Sequence, residues 1–156
     1  MDTQTITDIQ KLTEDLLTYL DAAAKPVVEV DESEVIKINI SPENREENLG
    51  VLIGFRGETL RSLQTILALM VNRDHEDWYK IAVDVGGYRL LHDEKLRALA
   101  QRTAEKTLFL KEPVVLLPMS AYERRVIHLQ IAETKGVMSE STGEGRERRV
   151  VVKPEG

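Results

Sequence analysis

The chain of 156 residues contains no cysteine. This excludes a disulfide framework and cysteine-ligated zinc, and it fits a reducing compartment, so a cytoplasmic location is expected. No apolar stretch approaches the roughly 20 residues needed to cross a bilayer, the longest being Ile66 to Val71, and membrane insertion is not expected. The first residues, Met1-Asp2-Thr3-Gln4, offer neither the basic region nor the apolar core of a signal peptide. Catalytic signatures are also lacking. There is no G-x-x-x-x-G-K-[ST] or G-x-S-x-G, and His75, His92 and His128 are scattered rather than set at metal-ligand spacing. The sequence therefore points away from an enzyme and calls for no catalytic residue, metal or cofactor.

Apolar residues make up 42% of the chain and charged residues 31%, the balance of a globular protein with one medium domain or two small ones. The net charge of −6 argues, as an average, against a partner made of phosphates, because affinity for a nucleic-acid backbone comes largely from cationic side chains. The charge is unevenly spread, however. Residues 1–50 hold 12 acids and 4 bases, a net of −8, whereas residues 51–156 hold 15 acids and 17 bases, a net of +2. The carboxylates of residues 29–47 fall at irregular intervals and read as a solvated acidic face.

The elements follow an α+β order. A helix is expected over residues 5–24, where Ile6, Ile9, Leu12, Leu16 and Leu20 make one stripe, Thr5 and Asp8 suit a capping box, and Pro26 acts as the stop. Two strands follow at 27–30 and 35–40, joined by the polar turn Asp31-Glu32-Ser33-Glu34; Ile36, Ile38 and Ile40 alternate with Lys37 and Asn39, as in a sheet with one buried face. Residues 41–48 are a loop or the polar start of the next helix. Leu49, Val51, Leu52 and Ile53 suggest a short buried helix, and Leu60, Leu63, Leu67 and Met70 one face of a helix reaching about Asn72. Between these two helices lies Gly54-Phe55-Arg56-Gly57. The two glycines allow unusual dihedrals and close approach of a ligand, and the amides of residues 57–59, opening a helix, favour an anion. Trp78 to Val85 reads as a third strand, with Gly86-Gly87 as a domain boundary after it.

Beyond that boundary a long helix over residues 88–110 is expected to turn Leu91, Leu96, Leu99, Thr103 and Leu108 inward and Arg97, Gln101, Arg102 and Lys106 outward, ending at Pro113. Residues 114–117 form a short apolar strand. Ser120 and Glu123 open a further helix to about Ala132 with a capping box, and two strands, 136–141 and 148–153, flank the glycine turn at 142–145.

Helix-strand-strand-helix-GxxG-helix-strand resembles the bacterial-type, or type II, K-homology (KH) domain, whose loop clamps the backbone of about four nucleotides. The second half carries Arg124 and His128 on one helical face in the spacing R-x-x-x-H, inside Pro118-Met119-Ser120-Ala121-Tyr122-Glu123-Arg124-Arg125-Val126-Ile127-His128. This resembles the signature of the small α/β domain that binds single strands and is named for its arginine and histidine. A KH domain over residues 1–85 followed by such a domain over residues 86–156 is similar to the bacterial Jag family. The separate N-terminal region and linker found in many Jag proteins have no counterpart in this sequence, which leaves functions of that region unassigned.

The resemblance implies a non-catalytic protein that binds single-stranded RNA, or alternatively single-stranded DNA, in post-transcriptional control linked to cell elongation, division or sporulation. It implies a small single-KH protein as partner. The nucleic-acid contacts it implies are Gly54, Phe55, Arg56, Gly57 and Arg61 in the first domain, with Ile53 and Leu60 lining the groove, and Arg124, Arg125, His128, Arg148 and Arg149 in the second. The middle pair of the loop carries one cation where two are common, and Glu58 beside it complements the helix dipole but opposes a phosphate. Replacing Gly54 and Gly57 by Asp is expected to remove binding and spare the fold. His128 is expected to gain charge, and weight in binding, below about pH 6.5. The competing reading is a protein-interaction adaptor, in which the acidic first third and Phe55 form the binding surface and the loop is vestigial.

Overall fold

The computed structural model describes residues 3–44, 47–73 and 77–156. Two expectations fall partly outside that range: the 41–48 segment at Arg45 and Glu46, and the placement of His75. The chain divides into two compact units, Met1–Arg89 and Leu90–Gly156. The division comes after Arg89 because Tyr88 packs against the first core and Arg89 hydrogen-bonds to Val83.

The first unit begins with α1 (Thr3–Tyr19). The helix starts two residues before the expected cap, so Thr5 and Asp8 lie inside it, and Asp8 instead accepts a hydrogen bond from Gln4 one turn back. It also stops earlier than expected. Asp21 takes a left-handed conformation (φ 52°), its N–H donates to the Thr18 carbonyl, and the Ala22 N–H donates to Leu17, the paired bonds of a Schellman stop. Pro26 is therefore free to lie within β1 (Ala24–Val30), an edge strand, where a missing N–H is tolerated. β1 pairs antiparallel with β2 (Ile36–Pro42), and β2 pairs parallel with β3 (Ile81–Val85), giving the order β1-β2-β3. The turn between β1 and β2 is held by Asp31, whose carboxylate accepts the Ser33 and Val35 amides and faces Lys37 at 3.2 Å; these contacts, the Val35 amide foremost, lower its pKa.

α2 (Gly50–Ile53) and α3 (Glu58–Asn72) flank the glycine loop. Only Leu52 of α2 is buried, and Val51 is exposed, so the expected buried helix reduces to one anchoring leucine. On α3 the inward stripe is Leu60, Leu63, Leu67 and Val71, with Met70 half outside; steps of three, four and four keep the stripe on the sheet side. Leu60 is thus part of the core, where it meets the isoleucines of β2, and it does not line a groove. β3 begins at Ile81 rather than Trp78.

The second unit contains most of α4 (Tyr88–Leu110), followed by β4 (Val114–Val115), α5 (Ala121–Ala132), β5 (Val137–Thr142) and β6 (Arg149–Pro154), in a sheet of order β4-β6-β5. α4 buries Leu96, Ala100, Thr103, Ala104 and Thr107, and leaves Leu91, Leu99 and Leu108 exposed. Leu96 and Thr103 thus face inward as expected, whereas the places expected for Leu91, Leu99 and Leu108 are taken by the small side chains Ala100, Ala104 and Thr107. Lys111 ends the helix in a left-handed conformation, its N–H donating to the Thr107 carbonyl, and Pro113 only follows that stop. The core gathers Leu96, Ala100, Ala104, Leu116, Ile127, Ile131, Val137, Val150 and Val152.

Candidate nucleic-acid interface

In the first unit the loop is tighter than its sequence suggests. Gly54 (φ 70°, ψ −175°) occupies backbone space open only to glycine, and Gly57 (φ 74°, ψ 20°) is left-handed. A Cβ at Gly54 would lie 2.0 Å from the Thr59 hydroxyl oxygen and 2.9 Å from the Thr59 nitrogen; one at Gly57 would lie 2.8 Å from the Tyr88 ring. Gly57 is buried. The expectation that aspartates at both glycines would spare the fold is therefore corrected: neither position has room for a side chain.

The amides expected to be open to an anion are partly used as well. The Gly57 N–H donates to the Gly54 carbonyl at 3.3 Å, and the Glu58 N–H donates to the Phe55 carbonyl. What the loop presents outward is its middle pair. Phe55 is 74% exposed, and the Arg56 guanidinium carbon stands 5.2 Å from the centre of its ring, a cation–π pair that orients the charge. Arg56 is itself left-handed (φ 49°). Arg61 is exposed on α3.

In the second unit the start of α5 is fixed before its functional residues appear. The capping box is present: the Glu123 amide donates to the Ser120 hydroxyl and the Ser120 amide to the Glu123 carboxylate at 2.7 Å. The other carboxylate oxygen of Glu123, itself buried, meets His92 of α4 at 3.2 Å, and the Tyr122 hydroxyl donates to Asp93. These contacts set the rotation of α5 and so the direction of Arg124 and His128.

Both residues face β5, where Ser139 and Ser141 alternate in phase with the buried Val137. Arg124 Nη1 donates to the Ser141 hydroxyl at 3.2 Å; His128 Nε2 lies 2.8 Å from that same hydroxyl, and His128 Nδ1 lies 2.7 Å from the Ser139 hydroxyl. Arginine can only donate, so Ser141 accepts from Arg124; the Ser141 proton can then go to Nε2 of a ring whose Nδ1–H donates to Ser139. That arrangement needs a neutral imidazole. Burial, aided by the adjacent Arg124 charge, lowers the His128 pKa in the same sense. Arg124 Nε has no partner among the described residues.

Arg125 is exposed beside this face. Arg148 is exposed in the turn before β6 and donates to the Gly143 carbonyl. Arg149 stands apart from Arg124 and His128. It alternates with the inward-facing Val150, so it lies on the opposite face of the sheet, and its guanidinium is paired with Glu147 at 2.7 Å.

Two family models match the chain in sequence order: the KhpA/KhpB KH domain over residues 8–83 and the arginine-histidine (R-x-x-x-H) domain over residues 94–154. The chain belongs to the Jag family. RNA-binding protein KhpB of Clostridium symbiosum is 35% identical over 139 residues, which are 89% of this chain and 61% of that protein. RNA-binding protein KhpB of Bacillus subtilis (strain 168) is 34% identical over 133 residues, covering 83% of this chain and 62% of that protein. The chain thus spans about three fifths of the length of these two relatives.

Within the arginine-histidine unit, Ser139 and Ser141 are the residues that sequence reasoning missed. Their signal was present, since a strand that buries Val137 turns Ser139 and Ser141 to the same side. The histidine expectation also changes. Because the folded-state pKa of His128 lies below the ordinary 6.5, the stability contributed by its neutral ring is fully present above pH 6.5 and is lost as pH falls through the folded value. A ring titration followed by NMR should give a midpoint below 6.5, so any gain of charge in binding sets in at lower pH than an unperturbed histidine would give. A midpoint at or above the ordinary value would overturn the neutral chain through Ser141.

Proposed function

We propose that this Jag-family chain is a non-catalytic, cytoplasmic RNA-binding protein that holds single-stranded RNA on the Phe55–Arg56 loop of its KH unit and on the Arg124 face of its arginine-histidine unit. The relatives' names describe RNA-binding proteins, which supports the substrate class. The observation that carries the reading is the state of Arg124. Its one hydrogen-bond partner among the described residues is an uncharged serine hydroxyl, so a half-buried guanidinium is oriented without being neutralised. Arg149, by contrast, already has Glu147. A fixed, unneutralised arginine suits a phosphate, which it can meet with two parallel N–H donors. Two modest sites on one chain raise affinity through effective concentration. The cellular role is post-transcriptional control linked to cell elongation, division or sporulation. A small single-KH protein is a partner compatible with this role, and exposed Val51, 74% accessible, offers it apolar surface.

The test is salt dependence. Removing one phosphate contact lowers the magnitude of the slope of log affinity against log salt by about 0.7 for a single strand, so replacing Arg124 and Arg125 by Ala is expected to lower that magnitude by about 1.4, almost independently of sequence. Anisotropy titrations of a single-stranded RNA from about 50 to 200 mM salt would read it. Equal slopes for the two proteins would remove the Arg124 face from the interface and favour an adaptor role for that unit.

A further inference from the structure

The protein's single tryptophan lies outside every site described so far, and it is held outward. Asn72, buried at the end of α3, accepts the Tyr79 amide at 2.6 Å and donates to the Tyr79 carbonyl at 3.0 Å and to the Ala68 carbonyl at 2.8 Å. This clamp fixes the backbone of Tyr79, whose ring packs against the first core, and leaves Trp78 before it 65% exposed. Beside the indole is a hollow of about 380 Å³, lined by Val30, Ser33, Glu34, Asp77, Tyr79 and Lys80 as well as Trp78. What sets this exposed aromatic apart is the hollow beside it.

Its place relative to the glycine loop gives it a meaning. β3 starts just after Trp78 and ends just before Gly86-Gly87-Tyr88, and the Tyr88 ring sits against Gly57 of the loop. Loop and tryptophan therefore flank the two ends of one edge strand. β3 itself, five residues at about 3.3 Å each, is roughly 16 Å long, so a single strand held at the loop and laid along this edge runs towards the indole. Cations mark that path. Arg56 is at the loop, Lys80 is next to Trp78, and exposed Arg89 lies between them, its Nε donating to the Val83 carbonyl at 3.0 Å. Gln64 accepts the Val83 amide at 3.1 Å, so the middle of this edge is already bonded and does not offer itself to a peptide strand.

We infer that Trp78 is a stacking platform for a nucleobase at the far end of the strand that the Phe55–Arg56 loop holds. The hollow suits a base better than a phosphate, because Glu34 and Asp77 on its wall repel an anion and leave a flat neutral ring unopposed. Stacking on an exposed indole needs no particular base, so the platform adds affinity without sequence choice. The inference rests on the proposed RNA-binding role of the loop.

The experiment uses the full chain and a single-stranded RNA of about 12 nucleotides, longer than the roughly four-nucleotide clamp. Stacking of one base is worth about 1–3 kcal/mol, so Trp78→Ala is expected to weaken binding about 5- to 150-fold, while Trp78→Phe, which keeps a ring, retains most of the affinity. The emission of the only tryptophan should be quenched as RNA is added. Thermal melts of both variants should match the parent, since the side chain is mostly in solvent. The variant Phe55→Asp/Arg56→Asp separates the two claims. If that variant loses binding while Trp78→Ala binds normally with no quenching in the parent, the platform is overturned and the loop reading stands. If neither variant loses affinity, both fall. If both lose it and emission is quenched, both hold.

Discussion

Replacing Phe55 and Arg56 together by Asp is expected to weaken binding of single-stranded RNA about 100-fold, while the KH unit stays folded. The backbone argument comes first. Arg56 is left-handed at φ 49°, and aspartate is among the few side chains that tolerate that region, so the loop keeps its path. Phe55 gives up no core contact, because its ring is in solvent. The electrostatic argument follows. The substitution removes the cation oriented over the Phe55 ring and places two carboxylates where a phosphate would sit, and like charges facing each other cost several kcal/mol. About 2.7 kcal/mol corresponds to about 100-fold in affinity. Anisotropy at constant salt measures the loss, and a melt checks the fold. Unchanged affinity in a folded variant would place the RNA elsewhere on the chain. This pair of substitutions replaces a test at the glycines themselves, where Thr59 and Tyr88 leave no room for a side chain.

The elements that were legible in the sequence are those whose apolar period is strict. The isoleucines of β2 and the leucines of α3 point into the first core because alternation and the helical step leave them no other common side. The capping box at Ser120 was legible because its two side chains bond each other's backbone locally. The inward face of α4 was not, for the opposite reason. Its buried face is Leu96, Ala100, Thr103, Ala104 and Thr107, of which only Leu96 carries a strong hydrophobic signal, while Leu91, Leu99 and Leu108 are exposed. The end of α1 was hidden because a polar residue, Asp21, supplies the left-handed stop that glycine usually makes. At the candidate site the sequence identified which residue types matter but not their state. The spacing of Arg124 and His128 places them on one face, whereas the direction of the hydrogen-bond chain depends on Ser139 and Ser141, brought to them by a separate strand. Likewise Arg148 and Arg149 are neighbours in sequence but differ in the structure, because Glu147 neutralises one of them.

Gly54→Ala is expected to destabilise the KH unit by about 3 kcal/mol, a large share of the stability that a small domain has. Two costs combine. At φ 70° and ψ −175° the backbone lies in a region essentially reserved for glycine, which costs about 1–3 kcal/mol for any other residue. The added methyl would also lie 2.0 Å from the Thr59 hydroxyl oxygen and 2.9 Å from the Thr59 nitrogen. The hydroxyl can swing away, but the nitrogen belongs to the first turn of α3, so relief requires moving the helix start and with it the Phe55–Arg56 pair. Gly86→Ala provides the internal comparison. Gly86 also has a positive φ, 58°, yet nothing lies within 4 Å of its added Cβ, so only the backbone strain of about 1–2 kcal/mol applies. The single tryptophan belongs to the first unit, and denaturation followed by its emission therefore reports on that unit. For a domain of this size about 3 kcal/mol lowers the melting temperature by roughly 12–24 °C, against about 4–16 °C for Gly86→Ala. Equal losses for the two variants would mean that the contact with Thr59 relaxes without cost and that the loop is not held by the start of α3.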